Sequence, residues 1–538
     1  MRARLLPISV TSTLLAAALA PGQSAKPAPS VADDFVAAAP ATPLPEPIAT
    51  ALGGITAARL AAHVRLLASP ALEGRGLGSR GLDAAAEYVA SSLALASVPP
   101  LGSGYFQPVP VREITGVAGQ VTVERRQAGA MVDRTFLSGV DCLVPEAAPQ
   151  TVTGAVVFAG YGIRDAALGR DDYRGLDLRG KVALVLAGVP AGPEWQTAAR
   201  QARWAGEKPE ERWTAKLAAA RAAGAAAVLA VEADGFLKQE PPEPRYFLPF
   251  EGAGETPLIR VSGAVADALL ASADLDAGSA RSVSPRELPA TSATIRITGQ
   301  ERRVESRNVV GVLAGADPRL RDEAIVLGAH IDHLGKVGET VYPGADDNAS
   351  GSAALLEIAR AFAASPVRPK RTVVFAFWTG EEEGKFGSGH WVRHPLWPLE
   401  RTAAYLNLDM IGHPWLPEEI RKLVADAALP DGEAFLAAVK PADFVEPGIP
   451  DGHPELADAL RRAARGTGLA LHFDRTDGTH GGSDYRDFAL ARVPFIRFFG
   501  NFFPAYHEPG DTAEALDAGQ VQRVARLAFA TAWLLADR

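Results

Sequence analysis

Cysteine occurs once in 538 residues, at Cys142, so no internal disulfide can form and no thiolate cluster can hold a metal. Any metal must be held by histidine and carboxylate. Lys/Arg-dense stretches are missing and the net charge is −9, which together argue against a nucleic-acid partner. Beyond the N-terminus, no apolar run reaches the ~20 residues needed to span a bilayer. No fixed-period repeat is visible. The glycine-rich turn LEGRGLGSRG follows no strand and precedes no GK[ST], so it does not read as a phosphate loop.

The N-terminus reads as an export signal over residues 1–25. Arg2 and Arg4 precede an apolar stretch, residues 5–20, and small residues follow. Ala18-Leu19-Ala20 fits the small-x-small rule, although Pro21 disfavours cleavage there, and no cysteine follows for lipid attachment. Residues 26–54 are Ala/Pro-rich and read as a disordered linker, with order starting near Ile55.

The remainder has ordinary globular composition, with 47% hydrophobic and 22% charged residues. Its length implies two or three domains. Helical spacing covers 55–67 and 81–95, and alternation suggests strands from 105 to 144. Residues 146–290 alternate glycine-rich turns with short apolar strands and carry one helix near 210–223. They read as an inserted accessory domain. From 300 onward, strands are expected at 324–327, 372–378, 403–408 and 494–499, and helices at 352–364, 456–467 and 518–536. This alternation implies an α/β fold: a mixed, mostly parallel sheet flanked by helices.

Five segments place an acid or a histidine just after such strands or in an adjoining turn. They hold His330 (GAHIDHLG), Asp347 (GADDNASG), Glu381 and Glu382 (WTGEEEGKFGS), Asp409 (YLNLDMIGH) and His507 (FFPAYHEPGDT). Ligand sites of open α/β sheets lie beyond the carboxyl ends of strands, so folding would bring all five to one rim. Two histidines and three carboxylates suit two divalent ions, above all zinc. Four positive charges would be matched by three carboxylates and a bridging hydroxide. The Glu381-Glu382 doublet supplies one ligand and one general base. Asp332, two residues after His330, can hold the other imidazole nitrogen.

These segments resemble the zinc-dependent exopeptidase family of bacterial leucyl aminopeptidase, aminopeptidase Y and glutamate carboxypeptidase II. The resemblance runs from about residue 55, and it likens residues 146–290 to a protease-associated domain inserted in a peptidase domain formed by 55–145 and 291–538. It implies two Zn²⁺ per chain, with His330 and Asp409 on one, Glu382 and His507 on the other, and Asp347 bridging. It further implies Glu381 as general base, Asp332 as the orienter of His330, and a cis peptide after Asp347. The expected activity is that of a periplasmic or secreted aminopeptidase acting on peptides.

The alternatives are a glutamate-carboxypeptidase-like enzyme, for which Arg475, Arg486 and Arg497 are candidates to bind an acidic side chain, a one-zinc glutaminyl cyclase, and a non-catalytic peptide-binding protein. His480, Asp484, Tyr485 and Tyr506 are pocket candidates, although aromatic packing is the plainer role for the two tyrosines. His333, Asp346 and Glu383 read as neighbours of the site, and His413, His453 and His472 as surface or insert residues. Residues 413–455 read as a lid or pocket wall.

Overall fold

The computed structural model describes residues 31–38, 42–127, 130–197, 200–206, 209–232, 237, 244–248 and 256–538. The export signal expected at 1–25 lies outside them.

Four fully or almost fully buried strands form the centre of the main sheet. Phe495–Phe498, Thr402–Leu408, Ala324–His330 and Thr372–Trp378 lie side by side, each parallel to the next. Their sequences (AIVLGAH, TVVFAFW) are continuous apolar runs, as required of strands covered on both faces. One face carries Ala57–Leu67, Arg80–Leu95, Gly351–Ala364, Pro454–Thr467 and Ala518–Ala536, which share one core. In that core Phe362 stacks on Trp533 with ring centroids 5.1 Å apart. The other face packs Trp378 and Tyr405 against Trp391 and Phe488, from the short helices Phe386–Arg393 and Tyr485–Leu490. The sheet is therefore mixed, mostly parallel at its centre, and flanked by helices.

The long strand Arg286–Leu313 pairs antiparallel with Thr372–Trp378 through its C-terminal end. Its earlier part pairs antiparallel with Gln150–Phe158, and parallel strands Val182–Leu186, Ala227–Val231 and Leu258–Val261 follow in order. A second core forms there around Phe158, Leu184, Leu229 and Ile259. It also takes in Val121, Phe136 and Cys142 on one side and Ile295 and Ile297 on the other, so its packing reaches beyond residues 146–290.

Order begins earlier than Ile55. Phe35–Val36 pairs with Leu471 and His472, and Glu46–Gly54 is a helix that buries Ile48. Composition misled here because few apolar residues are needed when they dock on a surface already built. The ring of Phe35 rests on Phe435 with centroids 5.3 Å apart. Residues 413–455 form the helices Pro417–Asp426 and Gly432–Ala438 over a small core of Ile420, Val424, Phe435 and Phe444. Among the described residues, no helix is long and apolar enough to cross a membrane.

Candidate metal centre

The sheet delivers its polar residues at the carboxyl ends of the central strands. His330 is the last residue of Ala324–His330 and is 1% exposed. The Glu381-Glu382 pair follows Thr372–Trp378 through a turn at Gly380, whose φ of +66° suits a residue without a Cβ. Asp409 follows Thr402–Leu408, and its amide donates to Phe498 O at 3.2 Å. Asp347 lies in the turn Ala345–Ser350, and the peptide from Asp347 to Asn348 is cis, as expected.

The side chains converge on Asp347. His330 Nε2 lies 3.3 Å from Asp347 Oδ1 and 3.3 Å from Asp409 Oδ1. On the other side, His507 Nε2 lies 3.1 Å from Asp347 Oδ2 and 3.2 Å from Glu382 Oε2. Two groups with metal-ligand spacing result, His330–Asp347–Asp409 and His333–Asp347–Glu382, and Asp347 belongs to both. His333, read from sequence as a neighbour, is thus inside the cluster. Its Nδ1 is 2.6 Å from Glu382 Oε1, and its buried Nε2 has no hydrogen-bond partner.

Imidazole nitrogens and carboxylate oxygens are the donors that a borderline divalent cation takes, and so many buried acids need a compensating cation. The residues present therefore fit a metal. Among the protein's own groups the histidines carry part of that compensation. Burial disfavours charged His330, but Asp409 and Asp347 outweigh it and hold its pKa well above the ordinary value. His507 is pushed up to about 10, Asp347 and Glu382 outweighing burial. Glu382 is drawn well below the carboxylate range, where its bonds to His333 and His507 overcome burial.

Glu381 is tuned the opposite way. Burial, reinforced by the carboxylates of Asp484 and Glu382, raises its pKa well above the usual range despite His330 and Lys385. Lys385 Nζ lies 3.1 Å from its Oε1.

Asp332 differs from expectation. Its carboxylate is 3.8 Å from His330 Nδ1, beyond hydrogen-bond range, and the backbone oxygen of Asp332 faces that nitrogen at 3.2 Å. The carboxylate instead accepts from the amides of Glu381 (3.1 Å) and Glu382 (3.2 Å). Backbone direction decides this: the strand ends at His330, and the side chain two residues on faces the neighbouring loop.

The other candidates separate. Asp484 is fully buried, and neither of its carboxylate oxygens accepts a hydrogen bond. Tyr506 stacks on His507 with centroids 3.9 Å apart. Tyr485 is buried against Phe495 and serves packing, while His480 is exposed and meets Thr479 at hydrogen-bond distance. Arg475 pairs with Asp34 and Arg497 with Asp474. Glu383 is exposed. His453 and His472 pair with Glu446 or Glu455 outside the cluster: His453 with Glu455, His472 with Glu446.

His413, expected at the surface, instead sits 2.7 Å from the buried carboxylate of Asp346 and stacks on Phe503. Asp346 also accepts from Gly412 N at 2.7 Å, which ties the Asp347 turn to the loop after Asp409. Sequence reasoning also passed over Asp511. Its carboxylate accepts from the amides of Asp346 (2.9 Å) and Asp347 (3.1 Å). Its place four residues after His507, in the same motif, was the available signal.

Parts of the chain are similar to known proteins. An aminopeptidase of Pseudomonas aeruginosa (strain UCBPP-PA14) is 40% identical over 115 residues, 21% of this chain and 19% of that protein. A probable glutamate carboxypeptidase of Arthroderma benhamiae is 36% identical over 107 residues, 19% of this chain and 14% of that one. The chain thus spans under a fifth of the length of these relatives. Among solved structures, an aminopeptidase from Aneurinibacillus sp. strain AM-1 is 20% identical with a TM-score of 0.49, covering 90% of this chain and 95% of that one. Residues 308–532 match the model of peptidase family M28. The matched part is the part of the chain that carries every clustered ligand, and it is similar to peptidase family M28.

Proposed function

We propose that this protein is an exported dizinc exopeptidase that removes N-terminal residues from peptides. The observation that carries the proposal is the sharing of Asp347 between two ligand groups at the carboxyl rim of the parallel strands. His330 and Asp409 would hold one ion, Glu382 and His507 the other, and Asp347 both. His333 supports this set by orienting Glu382. When bound, two such ions would polarise the scissile carbonyl, lower the pKa of water, and offset charge developing on the carbonyl oxygen.

The protein's own groups supply the proton transfers. Glu381 accepts a proton from the attacking water and delivers it to the leaving nitrogen. Lys385 steadies its carboxylate, and Asp332 fixes the backbone of both glutamates.

Residues 55–145 and 291–538 would form the peptidase domain, and 146–290 a protease-associated insert. The signal-like N-terminus supports a periplasmic or secreted location. Pairing of Arg475 and Arg497 with local acids favours an aminopeptidase over an enzyme selecting acidic side chains. His507 Nε2, within 3.2 Å of both Asp347 and Glu382, favours it over a one-zinc cyclase.

The test is hydrolysis of aminoacyl-nitroanilides, with and without chelator, beside Glu381→Ala. Chelation and the substitution should each abolish activity. Hydrolysis that survives both would contradict the proposal.

A further inference from the structure

Arg75 comes from the glycine-rich turn that the sequence leaves without a role. Its guanidinium is buried, and four hydrogen bonds from it end on backbone carbonyls. Nε donates to Ile331 O at 2.8 Å, Nη2 to Gly344 O at 2.8 Å, and Nη1 to Pro343 O at 2.7 Å and to Leu67 O. Ile331 stands between His330 and Asp332, and Pro343-Gly344 leads into the Asp347 turn. One planar cation therefore bridges the two loops that carry His330 and the shared carboxylate. The backbone of the turn adds to this: Arg75 O accepts from His333 N at 3.2 Å, and Gly74 O from Gly335 N at 3.0 Å.

None of those four bonds ends on a carboxylate. A guanidinium buried on neutral carbonyls is costly unless anions lie close. The nearby anions are those of the cluster: burial lowers the pKa of Arg75 to about 10, against the pull of Asp332, Asp511, Asp347 and Glu382. The turn is also held from outside, since Tyr246 Oη donates to Leu77 O at 3.3 Å. Tyr246 belongs to a strand, Arg245–Phe247, contributed by the accessory region.

We propose that Arg75 is a positioning residue for the metal ligands, setting the spacing of His330 and Asp347 and offsetting the excess of carboxylates. This inference rests on the metal-centre reading above. Groups that orient metal ligands usually change affinity about 10–100-fold when removed.

The experiment is a competitive chelator titration of zinc on the full chain, with the visible spectrum of the cobalt-substituted protein. Arg75→Lys keeps the charge and loses the fork, and Arg75→Gln loses both. Zinc affinity should fall roughly 10-fold for Lys and roughly 100-fold for Gln, with altered cobalt bands in each. Wild-type affinity and spectrum in both variants would overturn the inference while leaving the proposed function intact. Should neither variant fold, Tyr246→Phe decides, because it loosens the same turn from outside. A weaker zinc affinity supports the inference, and an unchanged one overturns it. A wild-type chain that binds no zinc would sink both proposals.

Discussion

His333 Nδ1 lies 2.6 Å from Glu382 Oε1, while His507 Nε2 lies 3.2 Å from Glu382 Oε2. One carboxylate thus faces two imidazoles, one buried and one 36% exposed. In the proposed set His507 is the ligand and His333 the orienter. His507→Ala should therefore remove one of two bound ions. His333→Gln should keep both and weaken one by about 10-fold. Zinc titration of the two variants separates the roles, and loss of an ion from His333→Gln alone would reverse them.

Asp332 holds the amides of both Glu381 and Glu382. Asp332→Ala leaves two buried donors unsatisfied and frees the loop that carries base and ligand. A fall in kcat of roughly 10–100-fold is expected, with KM nearly unchanged. Steady-state kinetics check this, and a change confined to KM would place Asp332 in substrate binding.

Glu357 provides a pH-dependent contribution to stability away from the site. Burial alone would raise its pKa, but His63, Arg59 and Arg360 outweigh burial and hold it at about 2 against an ordinary 4.5. A depressed carboxylate stabilises the fold above the unfolded pKa and loses that contribution as pH falls from about 4.5 toward 2. The contribution at neutral pH is on the order of 3 kcal/mol. Glu357→Gln should lower the denaturant midpoint at pH 7, and the gap from wild type should narrow at pH 3. A gap independent of pH would contradict the ion-pair account.

The rim was legible because each of its residues is signalled locally. A buried apolar run followed at once by His330, Glu381 or Asp409 leaves those side chains one place to go, the carboxyl end of a parallel strand. The helix 518–536 was legible from its periodicity for the same reason. What escaped depends on partners distant in the chain. Arg75 meets Ile331 across 256 positions, and Asp511 meets Asp346 across 165. Local spacing can also mislead. Asp332 is two residues from His330, yet its carboxylate serves loop amides 49 and 50 positions away. Residues 31–38 and 42–54 show a related effect, where Ala/Pro composition hid segments ordered by docking on Leu471, Phe435 and the Arg360 guanidinium.

The sharing of Asp347 between His330 and His507 is tested most directly by metal stoichiometry. Elemental analysis of the zinc-equilibrated chain should give two ions per chain, falling to none or one in Asp347→Ala. One ion in the wild type, or two retained in Asp347→Ala, would contradict the two-metal centre.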